Sequence, residues 1–223
     1  MRRSGILVGP AGYPRPLTCP SKQEASPDTM GSKSLQPSSD IVSSLGRALS
    51  DLGLAGLLGG QLFGRLALHP AVTAISEPRE RGEVVNAAWR RYGAVNAAGL
   101  AAVTTGWIGA RAGEVRDRNL VGSERTLARV KDALIGALAV AGVASAVEGV
   151  RFSREAPDGA VPLRDGDHTA PQASESARRR KRRLNALGAT TIAAEVGIVT
   201  VNAALSQINF RHSPVRRRLN PFR

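Results

Sequence analysis

A single cysteine, Cys19, occurs in 223 residues, so neither an intrachain disulfide nor a cysteine metal cluster can form. The three histidines, His69, His168 and His212, are scattered and share no metal-ligand spacing. Aromatic residues make up only 4% of the chain, little for a water-soluble core of this length, because aromatics normally supply much of the buried area. Acids are outnumbered 18 to 31 by Lys and Arg, which leaves a net charge of +13. Nucleophile elbow, glycine-rich phosphate loop and HExxH pattern are all missing. The sequence therefore supports no catalytic residue, no metal site and no cofactor, and a non-enzymatic role is the favoured reading.

What the chain has in quantity is Ala, Gly, Val and Leu, concentrated in four long stretches: Leu52 to Leu68, Gly93 to Ala110, Ala133 to Val147 and Leu184 to Ile208. Three have the length and low charge of a membrane-spanning helix, for which about 20 apolar residues suffice, and the 15-residue third spans only if Arg129 and Lys131 snorkel and the bilayer thins. Between lipid-embedded helices small residues are an advantage, since they let backbones approach closely. The basic residues, mostly Arg, flank these stretches, as membrane anchors do. The predicted fold class is all-α: a membrane-embedded four-helix bundle with a disordered N-terminal tail and a flexible linker before the last helix. The composition suggests a GC-rich bacterium, and the expected location is a bacterial inner membrane, crossed several times.

Residues 1–40 are rich in Pro, Ser and charge and read as a disordered polar tail, with Met30 as an alternative start of translation. Residues 41–150 hold three Ala/Gly-rich transmembrane helices with short polar connections. In the first, Asp40 is the expected N-cap and Pro70 the expected stop, giving roughly 29 residues or about 43 Å. The second is expected to start near Glu83, with Trp89, Tyr92 and Trp107 as an aromatic belt. Ser123 opens the third. Residues 151–177, with three prolines and two glycines, read as a flexible linker. Residues 178–210 form a basic run and the fourth transmembrane helix, and 211–223 a basic tail. Both termini are expected on the cytoplasmic side, with 16 basic residues flanking the helices there against 13 opposite.

Within the helices, Gly56, Gly60 and Gly64 recur at spacing four and predict a helix-packing face, since each glycine costs about 1 kcal/mol against Ala in a helix and needs a reason. Weaker small-residue faces run through Ala98, Ala102, Gly106 and Ala110, and through Ala133, Ala137, Ala141, Ser145 and Gly149. Glu195 is the one charge inside Leu184 to Ile208. A charge there costs at least about 2.5 kcal/mol, so it needs a partner or a proton. Helical spacing joins Thr191, Glu195, Asn202, Ser206 and Asn209 into an intramembrane polar stripe. Gln61 and Arg65 on the first helix are its candidate partners. The run Arg178, Arg179, Arg180, Lys181, Arg182 and Arg183 abuts the last apolar stretch and fits anionic lipid headgroups better than nucleic acid.

The expected partners are thus a bilayer with anionic headgroups and either another membrane protein or further copies of the chain. The expected function is that of a scaffold or subunit. A small proton-linked transporter or channel component using Glu195 is the first alternative, and a soluble, basic nucleic-acid-binding helical protein the second.

Overall fold

A computed structural model of the chain describes residues 36–113, 115–117, 120 and 122–211, with side chains from residue 44 to 208. The N-terminal tail, Cys19, most of the basic C-terminal tail and the side chains of Asp40 and Asn209 lie outside the described residues. Four long helices account for nearly all of the rest: α1 (Gln36–Phe63), α2 (Pro78–Ala112), α3 (Ser123–Ser153) and α4 (Glu175–Arg211). They run up, down, up and down. Each packs on two antiparallel neighbours, α1 on α2, α2 on α3, α3 on α4 and α4 on α1, with the α1–α2 and α3–α4 hairpins the tightest pairs.

Helix α1 starts before Asp40 and does not stop at Pro70. It widens into a π turn over Gly64–Leu68, where the His69 N–H reaches back to the Gly64 carbonyl, then continues through His69–Ala71 and a 3-10 turn at Val72–Ala74. Pro70 lacks an N–H, and its ring crowds the carbonyl four residues earlier. A π turn just before it shifts those carbonyls and lets the helix pass the proline. Helix α2 begins five residues before Glu83, because Pro78 suits the first helical position and the Glu77 side chain accepts from the Arg79 N–H at 3.5 Å. The Ser174 hydroxyl caps α4, accepting from the Ala177 N–H at 3.1 Å.

The seam of the first hairpin is made by glycine at spacing seven. A methyl on Gly53 would sit 2.7 Å from the Gly99 carbonyl oxygen, and one on Gly46 would sit 3.4 Å from that of Gly106. Gly60 and Gly64 face the rings of Tyr92 and Trp89, whereas Gly56 meets only Val95, at 4.0 Å. Of the expected face at spacing four, Gly60 and Gly64 pack on α2 and Gly56 does not, while Gly46 and Gly53 extend the seam towards the start of α1. The expected aromatic belt moves inward as well: glycine leaves room for Tyr92 and Trp89 between helices, and Trp107 is buried. On α3 the buried face is Lys131, Ile135, Leu138, Ala141 and Glu148, so Ala133 and Ala137 of the expected small-residue face point outward.

The stretch expected to be a flexible linker is a packed cap. Helices α3 and α4 extend into it, a short turn occupies Pro157–Gly159, and Leu163 pairs with Thr169 in an isolated bridge. Leu163 is fully buried against Val72 and Val85, and Val161 against Ala173 and Ala177. Its backbone is held by the ends of the first hairpin. The Leu163 N–H donates to the Pro78 carbonyl at 2.9 Å, and that of Gly166 to the His69 carbonyl at 3.2 Å. Composition concealed this because the few apolar residues of the loop all serve one buried side.

Candidate functional site

Three polar groupings line the bundle. The first is at the loop end, where the 154–174 cap meets the turn after α1. The Trp89 indole N–H donates to His69 Nε2 at 3.4 Å, and the opposite ring nitrogen, Nδ1, lies 3.0 Å from Asp167 Oδ1. An indole can only donate, so Nε2 is the acceptor and the proton sits on Nδ1, pointing at the carboxylate. Burial and the nearby Lys181 charge hold the His69 pKa below its usual 6.5, against the opposing pull of Asp167. Asn185 donates to the Asp167 carbonyl at 2.8 Å, and Arg65 donates to the Asn185 carbonyl at 2.9 Å, with its other nitrogen 4.0 Å from Asp167 Oδ1. Lys181, from the basic run, is buried beside them.

The second grouping lies half-way along the bundle. Glu195 is 1% exposed, and both of its carboxylate oxygens lack a hydrogen-bond partner among the described residues. Tyr92 of α2 lies within electrostatic reach of this carboxyl, while its hydroxyl donates to the Gly56 carbonyl. Thr191, one turn away and equally buried, donates back to its own helix at Gly188. The partners expected for Glu195 are placed otherwise. Arg65 is turned to Asn185 and Asp167, since the cap offers it a carbonyl and a carboxylate, and Gln61 is half-buried on α1.

The third grouping, at the end that carries the termini, takes Asn202 out of the expected stripe. Lys131 donates to Asn202 Oδ1 at 2.6 Å, and Asn202 Nδ2 donates to Asp51 at 3.0 Å. The Lys131 ammonium also lies 4.1 Å from the centre of the Trp107 ring, a cation–π contact. Trp107 donates to Asp132 at 2.7 Å, and Arg111 bridges Asp132 and Asp117 at 3.0 and 2.9 Å. Ser206 is exposed. The four stripe residues whose side chains are described thus divide, two at mid-bundle, one in this network and one on the surface.

The basic run divides too. Arg178, Arg179, Arg182 and Arg183 are exposed, whereas Arg180 turns inward to Glu155 at 2.6 Å and Glu148 at 3.1 Å. The hydrogen bonds of Ser176 and Arg180 hold the Glu155 carboxyl below the usual carboxylate range. Six consecutive residues cover the whole circumference of a helix, so one face of any such run must meet the neighbouring helix. The sequence reading missed His69, Asp167 and Lys181 as a cluster. No local signal could have found it, because the three come from three separate elements. Comparison of the chain with protein-family models, with curated proteins and with solved structures finds no match in any of the three.

Proposed function

We propose that the chain is an integral membrane protein, a bundle of four membrane-spanning helices in a bacterial inner membrane, acting as a non-enzymatic scaffold or subunit. The carrying observation is the amount of large apolar side chain that the packed bundle leaves outside its core. Small residues meet at the α1–α2 seam, while Leu52, Leu66 and Val140 on the outside are 71, 75 and 73% exposed, joined by Phe63, Ile108 and Val143. A water-soluble monomer rarely exposes contiguous apolar surface beyond a few hundred Å². In lipid the same side chains match their solvent, and small residues between helices are what brings backbones together. Among the described residues α3 and α4 are the two helices long and apolar enough to cross a membrane, and α1 and α2 pack against them. Charged networks at both ends and the exposed arginines at the start of α4 suit the two headgroup layers.

Support for a partner comes from the outer side of α3, where Ala133, Gly136 and Ala137 are exposed beside a shallow groove lined by Ala139, Val140, Val143 and Ala144. Such a face can take a helix of another membrane protein or of a second copy. The test is extraction: the protein should stay with membranes through high salt and alkaline carbonate and leave them in detergent. Recovery in the soluble fraction would refute the reading and favour a basic, nucleic-acid-binding protein. A second reading, a proton-linked transporter or channel component, is favoured by one observation, the buried and unpartnered Glu195 carboxyl.

A further inference from the structure

Three parts of the loop end meet at His69. It stands just past the π turn of α1 and is buried, with the α2 side chain Trp89 at one edge of its ring and the cap side chain Asp167 at the other. The cap backbone closes on it as well. A methyl on Gly166 would collide with His69 Cβ, and the Gly166 N–H donates to the His69 carbonyl at 3.2 Å. Trp89 is wedged between helices. Its ring fills the space left by Gly64 in the π turn, where an added methyl would lie 2.5 Å from Cζ2, and it meets the rings of His69 and Tyr92 edge-on, at 6.0 and 6.2 Å. The indole thereby closes the last turn of the α1–α2 seam, beside the cluster of Val72, Val85 and Leu163.

The two hydrogen bonds of this ring answer an added proton in opposite ways. Nδ1 already carries a proton, directed at Asp167 Oδ1 at 3.0 Å, and keeps that bond in either charge state. Nε2 accepts from the Trp89 N–H at 3.4 Å through its lone pair alone. A proton on Nε2 would set two N–H groups against each other, and an indole nitrogen cannot accept. The charges that face the ring come from three elements. Lys181 of α4 and Arg65 of α1 oppose a further positive charge there, and Asp167 of the cap favours it. The cap's other acid, Asp165, is taken by His168. From α2 the neighbour is Trp89, whose flanking Arg90 and Arg91 are exposed, while Arg81 is committed to the Ile75, Ser76 and Arg164 carbonyls. From α3 Phe152 reaches this cluster, and Glu148 is bound to Arg180.

We propose that His69 is an acid-operated latch: when Nε2 takes up a proton, the ring keeps its hold on Asp167 and lets go of Trp89, so that the joint between α1 and α2 loosens at the loop end while the cap stays seated on α1. Hydronium gives the proton to the Nε2 lone pair and leaves as water; one N–H bond forms and one hydrogen bond is lost. Tryptophan is what makes the joint sensitive, since a phenylalanine ring could fill the gap over Gly64 without any donor for the proton to displace. The latch rests on neither reading of function given above and needs only the folded loop end.

The test is nitrogen NMR of the full chain in detergent micelles, with histidine and tryptophan labelled and the two indole signals assigned with Trp89→Phe or Trp107→Phe. In alkaline solution the His69 ring should show the Nδ1–H tautomer. On acidification the Trp89 indole signal should move with the His69 ring at one shared midpoint below 6.5, while that of Trp107, bound to Asp132, stays in place over this range. His69→Gln should abolish the Trp89 transition. Asp167→Asn should lower the midpoint and Lys181→Met should raise it, because the carboxylate favours the added charge and the ammonium opposes it. Through the transition, amide exchange relative to the intrinsic rate should rise about fivefold over 62–68 and 86–92, the worth of one ordinary hydrogen bond, and stay unchanged over 163–168. The wild-type chain can refute the proposal without any variant of His69 folding: an Nε2–H tautomer in the neutral ring, a ring that stays neutral until the protein unfolds, or a Trp89 signal that stands still while His69 titrates would each overturn it. So would a cap that loosens with the joint, or a midpoint that ignores both Asp167→Asn and Lys181→Met.

Discussion

Adding one methyl group at Gly53 tests the glycine seam, with Gly59 as the internal control. At Gly53 the new carbon would lie 2.7 Å from the Gly99 carbonyl oxygen and 2.9 Å from Ala102 Cβ, so a helix backbone and a side chain with no freedom would both have to yield. Overpacking of this kind costs about 1–3 kcal/mol. Gly59, on the same helix, has nothing within 4 Å of the added carbon. Both substitutions gain about 1 kcal/mol of helix propensity, so that contribution cancels in the comparison. Gly59→Ala should therefore stabilise the protein by up to about 1 kcal/mol, and Gly53→Ala should be less stable than Gly59→Ala by about 1–3 kcal/mol. The measurement is unfolding of the two variants in detergent, followed by circular dichroism. A difference below about 0.5 kcal/mol, the scatter of ordinary surface substitutions, would show that α1 and α2 do not meet at Gly53 and Gly99.

Two other outcomes follow from the cap. Leu163→Ala removes a side chain that is fully buried against Val72 and Val85, so it should cost about 2–5 kcal/mol and raise amide exchange across 157–170, and unchanged protection there would return this segment to a flexible linker. His69 titrates below 6.5 in the folded protein, so on acidification the unfolded chain takes up a proton that the folded one refuses. Stability should thus be complete above about pH 6.5 and decline below it until the folded ring titrates, and His69→Gln should flatten that slope; an identical acid slope in the variant would exclude His69 as its source.

Four helices were legible in the sequence because helix length and apolar content are local properties, carried by runs such as Ala133 to Val147. Their ends were legible only in part. Ser123 marks the start of α3, but the helix before Pro70 continues through the proline by means of a π turn that no residue pattern announces. Spacing also brought out Glu195 as the exceptional residue of the last helix, since one acid in an apolar run is visible without any fold.

How each helix is rotated about its axis was decided only in the tertiary structure. A helix that is apolar on every side carries no directional pattern, so its inward face is set by where two backbones can come closest. That choice selected Gly46, Gly53 and Gly60 over Gly56, turned Trp89 and Tyr92 inward against glycine, and sent Asn202 to Lys131 while leaving Glu195 alone. The cluster of His69, Asp167 and Lys181 depends on contacts about 100 residues apart in the chain, as between His69 and Asp167, which are 98 positions apart. The apolar runs determined that there would be four helices; close backbone packing and long-range hydrogen bonds decided which side chains they enclose.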